Sequence, residues 1–217
     1  SGVHVCLSSG EGETIEKIEC DAVAMSGGWT PVVHLWSHCG GKLEWSDERS
    51  MFCPDKSRPP TNQNGESFVE TVGAASGKLQ LSEIVNEATD VGFNTGIKVG
   101  GKEIRSNVPE VFQKSEDPVE AFWFSPRRAK RKLRNKTFLD FQNDVKISDV
   151  ELAAREGFES VEHLKRYTTL GMATDQGKLS NVNGLAVLAN TLSSPISQVG
   201  TTTFRPPYTP ISMGSIA

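Results

Sequence analysis

The sequence has no long apolar run, few aromatic residues and no excess of basic charge. A transmembrane helix needs about 20 consecutive apolar residues, and no run of that kind occurs. Aromatic residues make up 7% of the 217, and 23 Lys and Arg stand against 27 Asp and Glu, a net charge of −4. The composition therefore excludes a membrane span and a generally basic nucleic-acid surface, and it predicts a soluble globular chain.

Cysteines are few and lack the spacing of a metal site. The four are Cys6, Cys20, Cys39 and Cys53, and none forms C-x-x-C. Zinc sites usually pair their cysteines at short spacing, so we expect free thiols and a cytoplasmic location. His34 and His38 lie next to Cys39, but no second ligand pair follows, which favours a core role over a metal site.

The first half alternates short strand patterns with turns. Residues 3–8 and 14–19 flank a Gly-Glu turn and predict a hairpin with Ile15 and Ile18 inward. Residues 21–25 are a short apolar run that is typical of a buried parallel strand.

A second unit of the same kind follows a loop over residues 54–65. Residues 67–72 predict a strand, 73–77 form a small-residue loop, and the apolar spacing from Leu79 onward predicts a helix. Residues 92–120 are predicted to be a linker.

The second half has a helical pattern from Phe138 onward. Ser148 and Glu151 have the spacing of a capping box, and Gly157 is placed to end that helix. Further helices are predicted to start at Ser160 and Ser180.

Three segments could carry chemistry. The strand, loop and helix around residues 73–77 have the layout that presents backbone N–H groups to phosphate, although G-x-G-x-x-G is absent and close helix–strand packing is the alternative. Residues 127–136 hold seven basic side chains, favouring a solvated linker that could dock an acidic partner over a nucleic-acid patch. Residues 164–178 combine cations and hydroxyl groups around two glycines, which suits a phosphate-bearing ligand or an ordinary polar turn.

Several of these segments closely resemble the α subunit of heterotetrameric sarcosine oxidase. They are residues 21–35 (DAVAMSGGWTPVVHL), 40–45 (GGKLEW), 138–145 (FLDFQNDV), 154–178 (AREGFESVEHLKRYTTLGMATDQGK), 180–185 (SNVNGL) and 200–210 (GTTTFRPPYTP). The resemblance implies a multi-subunit flavoenzyme that demethylates sarcosine to glycine, with hydrogen peroxide and either formaldehyde or methylene-tetrahydrofolate as products. It places FAD and amine oxidation on the β subunit, FMN at the α–β interface, NAD on the α subunit, and γ and δ subunits in the complex.

The resemblance also implies that this chain is a central fragment. It begins Ser1-Gly2 without an initiator Met, lacks the glycine fingerprint of the dinucleotide domain, and stops where a folate-type domain would start. Its half-site for NAD would use Gly73, Ala74, Leu79 and Leu81.

The helical half resembles the small [2Fe–2S] domains of related oxidoreductase subunits. At the aligned cysteine positions this chain has Asp140, Gln142, Asp175 and Ser180, so we expect the scaffold without iron, because a cluster needs thiolates. In its place, residues facing FMN would be Lys165, Arg166, Thr168, Thr169, Thr174, Gln176 and Lys178, with Arg205 as a further candidate.

The predicted fold is therefore α/β: a partial FAD/NAD-type dinucleotide-binding domain followed by a small, mainly α-helical domain without cysteines. The predicted divisions are 1–103, a linker with the basic run at 104–137, the helical domain at 138–200 and an extended tail at 201–217. Two alternatives remain open: the corresponding subunit of another amine or opine oxidoreductase, and a non-catalytic interaction module.

Overall fold

The computed structural model describes residues 1–104, 107–112, 120–204, 209 and 211–217. Over these residues the chain is mixed α/β and has two compact units, one formed by residues 1–28 and 121–217 and the other by residues 29–120. The grouping divides the predicted first domain, because residues 1–28 make their contacts with the second half of the sequence.

Over its described residues, the first unit combines a hairpin, a short strand pair and five helices. Its elements are β1 (Gly2–Val5), β2 (Glu16–Glu19), α3 (Arg131–Arg134), β5 (Phe138–Asp140), β6 (Val145–Lys146), α4 (Ile147–Arg155), α5 (Val161–Thr168), α6 (Asn181–Thr191) and α7 (Ile196–Val199). Both strand pairs, β1–β2 and β5–β6, are antiparallel.

The core of this unit lies where α4 packs against α5 and α6. Ile147, Val150, Leu164, Leu185 and Leu188 are at most 1% exposed. These side chains come from three helices whose apolar residues recur at helical spacing, so the packing follows from the sequence pattern. The core fixes where α5 ends and α6 begins, and therefore where the loop between them lies.

The second unit holds a two-stranded antiparallel sheet and a long helix. Its elements are α1 (His34–His38), β3 (Leu43–Ser46), β4 (Met51–Pro54), a 3-10 turn at Gly73–Ser76 and α2 (Leu81–Lys98). All of β4 is buried, and a side chain at Gly77 would collide with the Cys53 thiol. The close approach of backbone to Cys53 therefore requires glycine at position 77.

Some predicted elements are confirmed with shifted boundaries. The hairpin and the helices after Ser160 and Ser180 are present, and α2 runs on to Lys98, into the predicted linker. Gly157 (φ 90°) ends α4 as expected, with the N–H of Gly157 on the Ala154 carbonyl and the N–H of Phe158 on the Ala153 carbonyl.

The capping of α4 differs from its prediction. The helix starts at Ile147, so the carboxylate that reaches back is that of Asp149, which accepts the Lys146 N–H at 2.8 Å. The two residues of the capping box are three positions apart in both cases, and the predicted pair at Ser148 and Glu151 lies two residues too late.

The predicted buried strands of the first half are wrong. Residues 21–25 form no strand, and Val23 and Met25 are 58% and 83% exposed. Residues 67–72 contribute only an isolated bridge between Ser67 and Thr61. A buried parallel strand needs neighbouring strands and covering helices, and each sheet in the described part of the chain is a two-stranded antiparallel pair.

The predicted inward face of the hairpin is also wrong. Ile15 and Ile18 are 63% and 45% exposed, because the first unit holds the hairpin through its turn. The Arg127 N–H donates to the Ser8 carbonyl at 2.7 Å, and the Arg128 N–H donates to the Gly10 carbonyl at 3.1 Å.

Candidate functional site

The segment between α5 and α6, residues 169–180, is called the polar loop here, and most of the candidate flavin-facing residues lie on it or at the end of α5. Thr169 ends α5 with φ 63°, and Gln176 has φ 52°. Left-handed conformations at residues other than glycine cost energy and need support from surrounding contacts. For the part of the loop that begins at Thr169, three side chains from the end of β5 and the turn after it give that support.

Those three side chains bind the backbone of the polar loop. Asp140 Oδ2 accepts the Gly171 N–H at 2.9 Å, Gln142 Oε1 accepts the Thr174 N–H at 3.1 Å, and Asn143 Nδ2 donates to the Thr169 carbonyl at 2.9 Å. The loop is therefore fixed along half its length by a segment about 30 residues earlier in the sequence.

Asp140 is the buried member of this set, at 3% exposure. Its other oxygen, Oδ1, accepts the N–H groups of Gln142 and Asn143 at 2.9 and 3.1 Å. One carboxylate thus closes its own turn and anchors the polar loop, and charge-assisted hydrogen bonds of this kind are stronger than neutral ones.

The far end of the polar loop packs on Asn181. A Cβ at either Gly171 or Gly177 would collide with the Asn181 side chain, and both glycines have positive φ. Asn181 Nδ2 donates to Thr202 Oγ1 at 3.1 Å. The two glycines therefore serve close packing of the loop as well as its backbone conformation.

The cations at the end of α5 are partly neutralised by Glu162. Its Oε2 lies 3.8 Å from both Lys165 Nζ and Arg166 Nη2, and its Oε1 accepts the Thr203 N–H at 2.6 Å. Burial raises the pKa of Glu162, but the Thr203 hydrogen bond and the two cations outweigh it and leave the pKa below its ordinary value. The Arg166 side chain is 59% exposed against 18% for Lys165, so the guanidinium is the more accessible cation.

Of the threonines predicted to face FMN, two donate their hydroxyl protons to backbone carbonyls and one is exposed at the surface. Thr168 donates to the Leu164 carbonyl at 2.8 Å and Thr169 to the Thr168 carbonyl at 2.6 Å, so both protons are already used. Thr174 is exposed. Gln176 Nε2 donates to Ala173 and Lys178 Nζ to Asp175 at 2.9 and 3.3 Å, both to carbonyl oxygens of the loop itself.

The four positions that align with cluster cysteines all lie at the polar loop or the turn that holds it. Asp175 accepts the Gly177 and Leu179 N–H groups at 3.3 and 3.1 Å, through different oxygens. Ser180 is 2% exposed and its hydroxyl has no partner among the described residues. In the described ranges, no group of three or more His, Cys, Asp or Glu is arranged to hold a metal ion.

An open groove of about 320 Å³ lies beside this turn. It is lined by Asn143, Asp144, Val145, Asp149, Leu152, Tyr167 and Thr168. Two carboxylates on its wall disfavour an anionic ligand by like-charge repulsion, so the groove does not suit a flavin phosphate.

The residues predicted to contact the nucleotide lie together in the second unit, but the backbone N–H that would donate to a phosphate is already hydrogen-bonded. The Gly73 N–H donates to Glu87 Oε2 at 2.9 Å, inside the same unit. Ala74, Leu79 and Leu81 are exposed, the two leucines at 43% and 50%. The segment therefore has exposed apolar surface, and its Gly73 N–H is not available to an external phosphate.

Sequence reasoning missed Glu87. It lies in α2 among Ile84, Val85 and Ala88, and a charged residue within an apolar run of a helix is the signal that could have identified it. Arg205, the remaining predicted contact, lies outside the described residues.

The basic run meets acidic partners within this chain. Lys130 Nζ lies 3.1 Å from Glu11 and 3.5 Å from Glu13, on the hairpin turn, and Arg134 pairs with Glu151. The hydrogen bond and charge of Glu11, followed by the charge of Glu13, raise the pKa of Lys130. Lys130 and Arg134 of the basic run therefore pair with carboxylates of this chain.

No helix in the described ranges has both the length and the apolar character needed to cross a bilayer.

Residues 134–217 match the family model of the sarcosine oxidase A3 domain. The matched range contains the β5–β6 pair, α4 to α7 and the polar loop.

Curated relatives extend the similarity to nearly the whole chain. The sarcosine oxidase subunit alpha of Rhizobium meliloti (strain 1021) is 40% identical over 213 residues, covering 94% of this chain and 20% of the relative. That of Corynebacterium sp. (strain P-1) is 35% identical over 206 residues, covering 93% of this chain and 20% of the relative. The chain thus spans about one fifth of the length of these relatives.

A solved structure shares the fold. The crystal structure of L-proline dehydrogenase from P. horikoshii matches with a TM-score of 0.61 at 20% sequence identity, covering 93% of this chain and 40% of that one. At this identity the likeness concerns the fold.

Proposed function

Because this chain belongs to the sarcosine oxidase α-subunit family, we propose that it forms part of the α subunit of a multi-subunit sarcosine oxidase. The carrying observation is that α-subunit relatives are 34–40% identical over 93–94% of the chain. The proposed reaction is oxidative demethylation of sarcosine to glycine, giving hydrogen peroxide and either formaldehyde or methylene-tetrahydrofolate. Amine oxidation takes place on FAD of the β subunit, in a cytoplasmic heterotetramer that includes γ and δ subunits.

Within this proposal, the polar loop and the end of α5 face FMN at the interface with the β subunit. FMN supplies electron transfer when it is bound. The donor set fits an anionic ligand in part: Arg166 and Thr174 are exposed, and Lys165 and Lys178 add positive charge nearby in the sequence. A guanidinium suits phosphate because its fork of donors matches two oxygens at once.

The other predicted FMN residues support the loop from inside. Thr168, Thr169 and Gln176 donate hydrogen bonds to carbonyl oxygens of the loop or of α5. We therefore propose that they stabilise the loop conformation and do not contact FMN. Asp140, Gln142 and Asn143 complete this support. The structure of the loop favours a cofactor contact through Arg166, Thr174 and the lysines.

For NAD, we propose an apolar contact in the second unit. Gly73, Ala74, Leu79 and Leu81 supply small and apolar surface, while the Gly73 N–H is held by Glu87. The pyrophosphate is then held by other parts of the complete subunit. In this segment NAD and the chain meet by van der Waals contact.

A second candidate is the corresponding subunit of another amine or opine oxidoreductase. The fold shared with an L-proline dehydrogenase supports it, since proline, like sarcosine, is a secondary amine. Under the proposal the substrate binds to the β subunit, so the residues of this chain do not determine which amine is oxidised.

Co-expression with a β subunit of the family tests the function. The complex is purified by a tag on this chain, and its visible spectrum is recorded before and after anaerobic sarcosine. We expect co-purification with bound flavin that bleaches. A flavin absorbance that is unchanged by sarcosine but bleached by another secondary amine supports the second candidate. A colourless chain that purifies without a partner contradicts both candidates and favours the non-catalytic module.

Site variants of the complex test the flavin contact. Arg166→Ala combined with Lys178→Ala removes two positive charges, so we expect FMN to be lost from the assembled complex while FAD stays. Arg155→Ala is the matched control, because this exposed arginine lies on α4, away from the loop in sequence. Equal FMN content in the unchanged complex, the double variant and the Arg155→Ala control would contradict the proposal that the polar loop contacts FMN.

A further inference from the structure

Glu87 is a buried carboxylate surrounded by four donors, and with Lys56, Gly73, Ser76 and Lys78 it forms what is called the Glu87 cluster here. Oε2 accepts the Gly73 N–H at 2.9 Å and the Ser76 hydroxyl at 2.5 Å. Oε1 lies 3.0 Å from Lys56 Nζ and 3.4 Å from Lys78 Nζ. The Glu87 side chain is only 5% exposed.

The donors of this cluster have the chemistry of an oxyanion site. A backbone N–H at a glycine turn, a hydroxyl and two ammonium groups are what proteins use to bind phosphate or carboxylate. They come from two separate places in the sequence, residue 56 and residues 73–78, and converge on one carboxylate of helix α2. Two ammonium charges against one carboxylate leave the cluster positive.

The donors are pre-organised by the chain and not only by the carboxylate. The 3-10 turn Gly73–Ser76 is closed by the N–H of Gly77 on the Ala74 carbonyl and that of Lys78 on the Gly73 carbonyl, both at 3.1 Å. Arg49 Nη1 donates to the Gly77 carbonyl at 3.1 Å, and Gly77 packs on Cys53. These contacts hold the turn without using Glu87.

We propose that the Gly73–Lys78 segment is an oxyanion-binding site that the chain fills with its own Glu87 carboxylate. An external phosphate finds the Gly73 and Ser76 donors occupied and cannot reach them. If the carboxylate is removed, the same donors bind a small oxyanion such as phosphate or formate. The inference goes beyond the proposed function, since it holds whether or not NAD binds this chain.

Glu87→Ala tests the proposal directly. Binding of inorganic phosphate is measured by titration calorimetry, and the thermal midpoint is recorded against phosphate and formate in chloride buffer. We expect the variant to bind phosphate at least tenfold more tightly than the unchanged chain, and both anions to raise its midpoint. Adding Lys78→Ala to Glu87→Ala is expected to weaken phosphate binding again.

Glu83→Ala is the matched control, because Glu83 is an exposed glutamate one turn earlier on α2. It is expected to behave as the unchanged chain. A folded Glu87→Ala variant that binds phosphate no better than Glu83→Ala overturns the proposal.

If Glu87→Ala does not fold in chloride buffer, formate and phosphate must restore its folding, and failure to do so also overturns the proposal. Glu87→Gln, which keeps the size of the side chain and removes its charge, then repeats the comparison. NAD binding is titrated separately, so that loss of the proposed NAD contact is read independently of the phosphate result.

Discussion

Asp140 and Glu87 are buried carboxylates that accept hydrogen bonds from the backbone of loops distant in sequence. Asp140 binds the Gly171 N–H across 31 positions, and Glu87 binds the Gly73 N–H across 14. Leaving a buried N–H without its acceptor costs about 1–3 kcal/mol. Each carboxylate therefore fixes a loop that carries part of the proposed cofactor contacts.

The charge state of Glu87 gives a prediction about pH. Burial alone raises the pKa of Glu87, but hydrogen bonds from Ser76, Lys56 and Gly73 outweigh it and lower the pKa from 4.5 to about 2. Since the folded pKa is depressed, the ionised carboxylate stabilises the fold above pH 4.5, and this is lost as the pH falls towards 2. Urea unfolding at several pH values should show stability falling in this window.

Glu87→Gln should be less stable than the unchanged chain at pH 7 and should lose less stability on acidification. A residual slope is expected from Asp55, because hydrogen bonds from Ser57 and then Arg58 lower its pKa to about 2. Glu83→Gln should keep the full slope. Identical pH profiles for Glu87→Gln and Glu83→Gln would show that Glu87 does not contribute.

At the scale of single residues, the sequence predicts which residue types gather near the polar loop but not what each atom does. Thr168 and Arg166 look equivalent as candidate ligand contacts in the sequence, yet the Thr168 proton is spent on the Leu164 carbonyl. That use depends on the position of Thr168 in the last turn of α5, where a hydroxyl reaches the carbonyl four residues back. Helix ends read from a sequence vary by a residue or two, so the sequence does not predict which carbonyl the Thr168 hydroxyl binds.

The polar loop as an element depends on two glycines, and this gives a second prediction. Gly171→Ala and Gly177→Ala each place a methyl group against Asn181 in a left-handed backbone. The backbone conformation costs about 1–2 kcal/mol, and overpacking adds about 1–3 kcal/mol. Free energies of unfolding from urea titrations measure the total.

Gly157→Ala is the control for the backbone cost alone. Gly157 also has positive φ, but nothing lies within 4 Å of a Cβ built there. We therefore expect its cost to be the smallest of the three. If all three substitutions cost the same, the contact between the loop glycines and Asn181 has no energetic role.

Helices were the most predictable elements, and buried strands the least. The helical spacing around Leu164 and Leu185 predicts the two helices, and both residues lie in the core. Residues 21–25 have the composition of a buried strand, but burial depends on neighbours that a short run cannot specify. Local pattern therefore predicted α5 and α6 and failed for the strands of the first half.

At the scale of the whole molecule, the hairpin and the basic run hold each other, which gives a third prediction. Lys130→Glu places a negative charge beside Glu11 and Glu13. Repulsion there should speed amide hydrogen exchange in residues 2–19 and 127–134 about threefold to tenfold. Exchange in α2, in the other unit, should stay unchanged.

Lys132→Glu, an equal charge change at an exposed neighbouring position, serves as the comparison. Its exchange pattern should match that of the unchanged chain. Equally faster exchange in both variants would mean that the stability of the hairpin depends on net charge and not on the contact of Lys130 with the hairpin turn.

The hairpin also has a consequence for biosynthesis. Its strands are translated before its docking partners, the N–H groups of Arg127 and Arg128, which follow more than a hundred residues later. At about 5–20 residues per second, the hairpin waits on the order of 5–20 s for them. During that interval the hairpin turn is without its backbone hydrogen-bond donors, and the segment 29–120 can fold ahead of the residues that precede it.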